Sequence, residues 1–441
     1  MGGAREAALA ALEKCRRAGA WSDAVLGSVM NQSGLQGRDR AMASAICYGV
    51  MQNVYLLDYY INCYSSIKSA KLEPKVLDIL RASAYQLLFM DRIPVSAAVN
   101  EGVKLCRAMG YARAAGLVNA VLRRIAENRE HLPVIEREDF AEELSIRYSC
   151  PRDLVLRFLE LLGREEAEQL LKCQNESVPT TVQTNLCRSS TEELLLRWEK
   201  EGTEVSRHPY LPDCLLLRGG GDVSALPGFA EGLFYVQDAA AKMSVLAAGV
   251  SSGQKVLDVC SAPGGKSFAA AVLTADSAEI TSCDIHENKL KRIRDGAKRL
   301  GLNGVQTQCA DGRKFQAEWA ERFSLVITDV PCSGLGVIRK KPDIRYKDPA
   351  EFARLPEIQW EIIHNAASYV APGGVLLYST CTVLPEENEA IAEKFLQQHK
   401  DFCAEEFTLP GDRRSHKGML QLWPHRDGTD GFFIAKFRRK T

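Results

Sequence analysis

The chain has 441 residues, 46% hydrophobic and 25% charged, and its 56 basic and 56 acidic residues cancel to zero formal charge. That length holds the core of more than one domain, and the composition excludes disordered, collagen-like and disulfide-dense classes. The balance is uneven: residues 1–130 carry 17 Lys+Arg against 11 Asp+Glu, residues 131–235 carry 11 against 19, and the remainder 28 against 26. No stretch approaches the ~18 apolar residues of a membrane helix, and Arg5 and Glu6 interrupt any apolar leader. The 14 Cys include no C-x-x-C pair. A soluble, monomeric protein of a reducing compartment, the cytoplasm, is expected, without a metal: no close Cys/His set offers four ligands.

Residues 1–135 read as an all-α domain. Ala7 to Leu12 opens an amphipathic stretch, and Val76, Ile79, Leu80, Ala84, Leu87 and Leu88 recur at helical spacing. Pro94 starts a further helix, and Leu117, Val121, Leu122 and Ile125 form a stripe on another. Residues 131–145 are charged and weakly patterned, a linker. Residues 145–235 read as a small α/β domain, with helices over 153–162 and 164–173, a strand at 180–184, a helix at 192–201 and a strand at 215–217.

From 236 to 441 the rhythm becomes β-α-β. Strands are predicted at 255–260, 279–285, 305–309, 325–330 and 374–380, with helices at 266–274, 287–300, 350–370 and 385–399. This alternation predicts an α/β fold, a mostly parallel Rossmann-like sheet with helices on both faces. Met419–Trp423 and Phe432–Phe437 flank a turn, which predicts a closing antiparallel hairpin.

In a doubly wound sheet the first strand-to-helix turn commonly receives a cofactor. Here that turn is Cys260-Ser261-Ala262-Pro263-Gly264-Gly265-Lys266. It is neither G-x-G-x-x-G nor a phosphate P-loop. Asp284 falls 20 residues past Gly264, at the end of the next strand, where a carboxylate suits ribose hydroxyls. Asp311 ends the third strand, placed for an adenine amino group, and Asp329 ends the fourth. A ribose and adenine site without a phosphate loop points to S-adenosylmethionine more than to ATP or NAD; spacing alone leaves that choice open.

Cys332, in Asp329-Val330-Pro331-Cys332-Ser333-Gly334, and Cys381, in Ser379-Thr380-Cys381-Thr382, each follow a strand on this same edge. A thiolate there can add to C6 of a pyrimidine, after which C5 attacks an electrophilic methyl group. Asp329 is placed to support N3, and the second cysteine to assist release. The residues do not say which cysteine is which.

These motifs, with Arg339-Lys340-Lys341-Pro342-Asp343-Ile344-Arg345-Tyr346, resemble the Sun/Fmu branch of the NOL1/NOP2/Sun RNA cytosine-5 methyltransferases. Ala84–Asn100 and Gly116–Ile125 are similar to that branch's NusB-like RNA-binding domain. The resemblance implies S-adenosylmethionine as methyl donor, and unassembled or early-assembly 16S ribosomal RNA as partner. It implies that residues 260–266, Asp284, Asp311 and Asp329 hold the cofactor. It also implies that Cys381 is the nucleophile and that Cys332 assists release. Arg339, Lys340, Lys341, Arg345 and Tyr346 are expected to clamp the substrate strand, by phosphate contacts and stacking. Two other readings stay open: the same chemistry on another ribosomal site or on transfer RNA, and a non-catalytic RNA-binding or antitermination factor.

Overall fold

The computed structural model describes residues 3–18, 23–219 and 222–441. They form two compact units: the chain up to Glu176 together with Ile338–Lys347, and Ser177–Val337 together with Asp348 onward.

The first unit is helical. Ala4–Ala18, Asp23–Ser33, Gly37–Gln52, Val54–Tyr64, Pro74–Phe89, Val95–Ala108 and Ala115–Glu127 enclose one apolar core. In the last of these Val118, Val121, Leu122 and Ile125 are all buried, the single stripe that a 3.6-residue period puts on one face. Gly49 is required where Gly37–Gln52 meets Pro74–Phe89, because a Cβ there would lie 1.9 Å from the Tyr85 ring. Part of the expected linker is instead a helix, Phe140–Tyr148, whose N-cap Asp139 accepts from the Ala141 N–H at 3.0 Å. Arg152–Cys173 breaks at Gly163 (φ 76°, ψ 178°), between the two helices expected there.

The second unit contains two main sheets. Thr180–Thr184 (β1), Val205–Arg207 (β2), Cys214–Leu217 (β3) and Phe234–Val236 (β4) pair antiparallel in the order β2-β3-β1-β4. Helix Thr191–Lys200 covers this sheet, packing Leu194 and Trp198 on Val182, Leu215 and Phe234. A Ser190/Glu193 capping box starts that helix.

The larger sheet holds Lys255–Asp258 (β5), Glu279–Asp284 (β6), Val305–Cys309 (β7), Phe323–Asp329 (β8), Val370–Thr380 (β9) and Phe402–Ala404 (β10). A short hairpin, Thr408–Leu409 (β11) with Arg413–Arg414 (β12), stands apart from it; Met419–Leu422 (β13) and Phe432–Arg439 (β14) belong to it. Its order is β10-β14-β9-β8-β5-β6-β7, with β13 also paired to β14. β5 to β9 run parallel, and β14 runs antiparallel against β9. Both faces are covered, so adjacent residues enter opposite cores: Val256, Leu325 and Leu377 in one, Leu257, Val326 and Leu376 in the other. That explains why these strands read as continuous apolar runs. The expected hairpin exists, but β14 lies between β9 and β10 instead of closing an edge. The single helix expected over 350–370 is two, Pro349–Phe352 and Leu355–Ala367, because Pro356 belongs in a first turn and not in a helix interior. No helix of the described residues is long and apolar enough to cross a membrane.

Strand order reverses between β5 and β8. The crevice at the carboxyl ends of these two strands is where an open α/β sheet places its ligand.

Candidate active site

β5 ends in the loop Val259–Gly264, which turns into helix Gly265–Leu273. Ser261 fixes the loop, donating its N–H and its hydroxyl to the Cys283 carbonyl at 2.7 and 2.8 Å. Gly264 has φ +108°, and a Cβ there would meet the Phe268 ring at 2.6 Å, so only glycine makes this turn. Pro263 follows a cis peptide bond. Beneath the loop, Asp258 is fully buried and accepts from Ser267 Oγ at 2.7 Å. Burial raises its carboxyl to about 7, against the lowering effect of the Ser267 hydrogen bond. Burial likewise pushes the Cys260 thiol well above its ordinary range, with nearby Asp258 adding to the effect, so this cysteine is held protonated.

The acidic residues sit at successive strand ends. Asp284 ends β6, accepts from the His286 N–H at 2.9 Å and lies 3.7 Å from Lys289 Nζ. Asp311, two residues past β7, is gripped by Arg313 at 2.9 and 2.8 Å, and this holds its carboxyl below the usual range. Asp329 ends β8. It accepts from Lys266 Nζ at 2.5 Å and from Ser379 Oγ at 3.0 Å. The first bond ties the glycine turn to the strand that leads to Cys332.

Parallel pairing of β8 with β9 puts Asp329 in register with Ser379. The two cysteines follow three and two residues later, and their sulfurs lie 3.3 Å apart. Both are free thiols, since a disulfide spans only ~2.05 Å. The hydrogen bond with Cys381 is the first cause raising the Cys332 thiol well above its ordinary range, followed by burial and by the charges of Cys381, Glu387 and Asp329. Close backbone packing holds the arrangement. The Gly336 N–H donates to the Cys381 carbonyl at 3.0 Å and the Gly431 N–H to the Gly336 carbonyl at 2.9 Å. A half-buried pair of thiols beside a glycine turn and a lysine–carboxylate bond is equipped for covalent group transfer to an electrophilic ring.

Comparison with known proteins gives the family and the domains. The description "16S rRNA methyltransferase RsmB/F" matches residues 245–438, "NusB family" matches 3–127, and "Methyltr_RsmF/B-like, ferredoxin-like domain" matches 150–224. The probable ribosomal RNA small subunit methyltransferase B of Bacillus subtilis is 36% identical, over 99% of this chain and 98% of its own. The chain belongs to that family. The ribosomal RNA small subunit methyltransferase B of Klebsiella pneumoniae is 34% identical, over 93% of this chain and 92% of its own. Among solved structures, one titled PH0851 is 26% identical, with a TM-score of 0.82 over 99% of both chains. A methyltransferase homolog protein from Pyrococcus horikoshii, also 26% identical, has a TM-score of 0.60 over 69% of this chain and all of its own. The family makes the protein a methyltransferase of ribosomal RNA, its helical front a NusB domain and its small antiparallel sheet a ferredoxin-like domain.

Two of the residues expected to clamp the substrate strand need correction. Arg345 is 3% exposed. Its guanidinium donates to the carbonyls of Tyr148, Ser149 and Gln174 at 2.9, 3.2 and 3.4 Å and to Asn175 Oδ1 at 2.9 Å. These acceptors lie at or just past the ends of two helices, where carbonyls lack helical partners. The Tyr346 hydroxyl lies 2.8 Å from the Met51 carbonyl and 3.0 Å from that of Ser149. Both side chains therefore pin residues 338–347 into the helical unit. Arg339 and Lys340 are half-buried, and Lys341 is exposed.

The sequence reading missed Ser333, Gln359, Thr382 and Glu387, which form a hydrogen-bonded network behind the cysteines. The available signal was the polar run Glu386-Glu387-Asn388-Glu389 directly after the Cys381 segment. Solvated helix entries look the same.

Proposed function

We propose that this methyltransferase moves a methyl group from S-adenosylmethionine to C5 of a cytosine in 16S ribosomal RNA, through a bond between Cys381 and C6. The observation that carries the reading is the 3.3 Å approach of the Cys332 and Cys381 sulfurs. Few reactions other than pyrimidine C5 alkylation call for two free thiols beside a nucleoside-type cofactor turn.

The residues at the first turn fit S-adenosylmethionine. Beneath the loop, Asp258 Oδ1 is a buried acceptor with no protein partner among the described residues. Asp284 would take the ribose hydroxyls. Asp311 would take the adenine amino group once exposed Arg313 turns aside. Residues 260–266 and Asp329 complete the site. When bound, the cofactor supplies an electrophilic methyl group.

The steps by the chain's own residues balance as follows. Cys381 Sγ gives an electron pair to C6, and the C5=C6 pair takes the methyl carbon at C5 as a thioether departs. Asp329 supports the N3 edge of the base, and Lys266, bonded to the same carboxylate, keeps a proton within reach. Cys332, hydrogen-bonded to Cys381, passes its proton to that sulfur as the C6–S bond breaks. In the same step the Cys332 thiolate so formed takes the C5 proton, and the C5–H electron pair restores the C5=C6 double bond. To reach the thiols the cytosine must leave its stack, at a cost of a few kcal/mol. Arg339, Lys340 and Lys341, which follow Cys332 closely in the chain, are the remaining candidates for phosphate contacts that offset it.

The test is transfer of tritiated methyl from S-adenosylmethionine to unmethylated ribosomal and transfer RNA, followed by digestion to nucleosides. Label in 5-methylcytidine of 16S RNA is expected. Label in another nucleoside, in transfer RNA only, or in none would overturn the reading.

A further inference from the structure

Glu387 follows Cys381 by six residues and is 1% exposed. One carboxylate oxygen accepts from the Ser333 N–H at 2.9 Å and from Gln359 Nε2 at 2.8 Å. The other accepts from the Ser333 hydroxyl, which in turn meets the Thr382 hydroxyl at 2.7 Å. Gln359 also donates to the Pro331 carbonyl at 2.9 Å. Pro331 and Ser333 flank Cys332, and Thr382 follows Cys381. One buried carboxylate therefore reaches both sides of the first cysteine and the residue after the second. Its partners among the described residues are neutral donors, not cations. Burying a carboxylate without a cation is costly, and an apolar side chain would fill the same volume at less cost.

We propose that Glu387 is a positioning residue of the methyl transfer: it clamps the Cys332 and Cys381 segments into one register, so that both sulfurs act on the same base. This rests on the cytosine-C5 reading above. The carboxylate also separates the roles of the two thiols. Its charge, after the Cys381 hydrogen bond, burial and the charge of Cys381, helps keep the proton on Cys332. Two thiolates at 3.3 Å would repel each other, so a protonated Cys332 leaves Cys381 as the one nucleophile.

Glu387→Gln keeps the side-chain shape, removes the charge and replaces one acceptor. Two measurements on the full-length protein test it. One is methyl transfer to unmethylated 16S RNA. The other is the rate-against-pH profile for alkylation of Cys332 by iodoacetamide, read by peptide mass spectrometry. The variant should lose about 100-fold in kcat, the scale of a small misplacement of reacting groups. Its KM for S-adenosylmethionine should be unchanged, and its Cys332 profile should move to lower pH. A folded variant with kcat and profile both unchanged overturns the proposal. So does lost activity with an unmoved profile, which marks a merely structural residue. Should Glu387→Gln not fold, Ser333→Ala cuts the relay to Thr382 and leaves the carboxylate in place. It should lose kcat on a similar scale, and full activity would overturn the clamp. The alkylation profile needs no RNA. A wild-type protein that makes no 5-methylcytidine would therefore overturn the reaction while the profile still decides the clamp.

Discussion

Lys266 Nζ stands 2.5 Å from a carboxylate oxygen of Asp329, a single bond that joins the glycine turn to the strand end before Cys332. The lysine side chain is 8% exposed and the aspartate 31%. Lys266 also lies over the Phe432 ring, 5.0 Å from its centroid, so β14 steadies the same cation. Lys266→Met removes the cation and leaves Asp329 uncompensated. A loss of about 2 kcal/mol in urea unfolding is expected, toward the low end for broken ion pairs because Asp329 keeps some water. Methyl transfer should fall with it. Unchanged stability and unchanged activity would show that the pair serves neither purpose.

The two cysteines are separable by trapping. Cys381→Ala should abolish both turnover and any covalent protein–RNA adduct. Cys332→Ala should still attack and then stall, giving an adduct that survives denaturing electrophoresis. The opposite pattern, an adduct from Cys381→Ala, would exchange their roles.

Gly336 tolerates no side chain. A Cβ there would stand 1.9 Å from the Gly431 carbonyl oxygen and 2.8 Å from that of Cys381. Gly336→Ala must therefore push the Cys381 segment away. A loss of roughly 100-fold in kcat and of about 1–3 kcal/mol in stability is expected. Kinetics and denaturant unfolding on one preparation check both, and near-wild-type values would mean that this contact has no bearing on the thiols.

Asp258 predicts an unusual pH dependence. Burial raises its folded carboxyl to about 7, far above an unfolded aspartate near 3.8. The folded state thus holds the proton more tightly. Its contribution is fully present below pH ~4, falls as pH rises through this window and is gone above ~7. Asp258→Asn removes that dependence while keeping an acceptor for Ser267. Relative to wild type, the variant should gain in urea midpoint between pH 5 and pH 8. A constant difference across that range would refute the assignment.

Chemistry placed at strand ends was legible in the sequence. Asp329 closes an apolar run and Asp284 closes β6, and parallel pairing of both strands with β5 brings the residues after such strands to one edge. That rule located Cys332 and Cys381 without coordinates, and glycine's helix-breaking tendency split the long helix at Gly163. Arg345 and Tyr346 were misread because a basic and aromatic loop looks solvated in sequence. Nothing local reveals that the carbonyls of Tyr148, Ser149 and Met51 await donors from almost 200 or 300 residues away. The Glu387 network was hidden for the same reason: its bonds to Ser333 and Gln359 span 54 and 28 residues.

The position of β14 sets an order on biosynthesis. Residues 433–438 pair with β9 from Val375 to Thr380, the residue before Cys381. A ribosome that has translated both cysteines, the glycine turn and every carboxylate of the site has still not made the strand that flanks β9. Until the stretch around Phe433 clears the exit tunnel, the nascent polypeptide carries all the reactive groups on an unfinished scaffold, so methylation can begin only once β14 has been made and paired with β9.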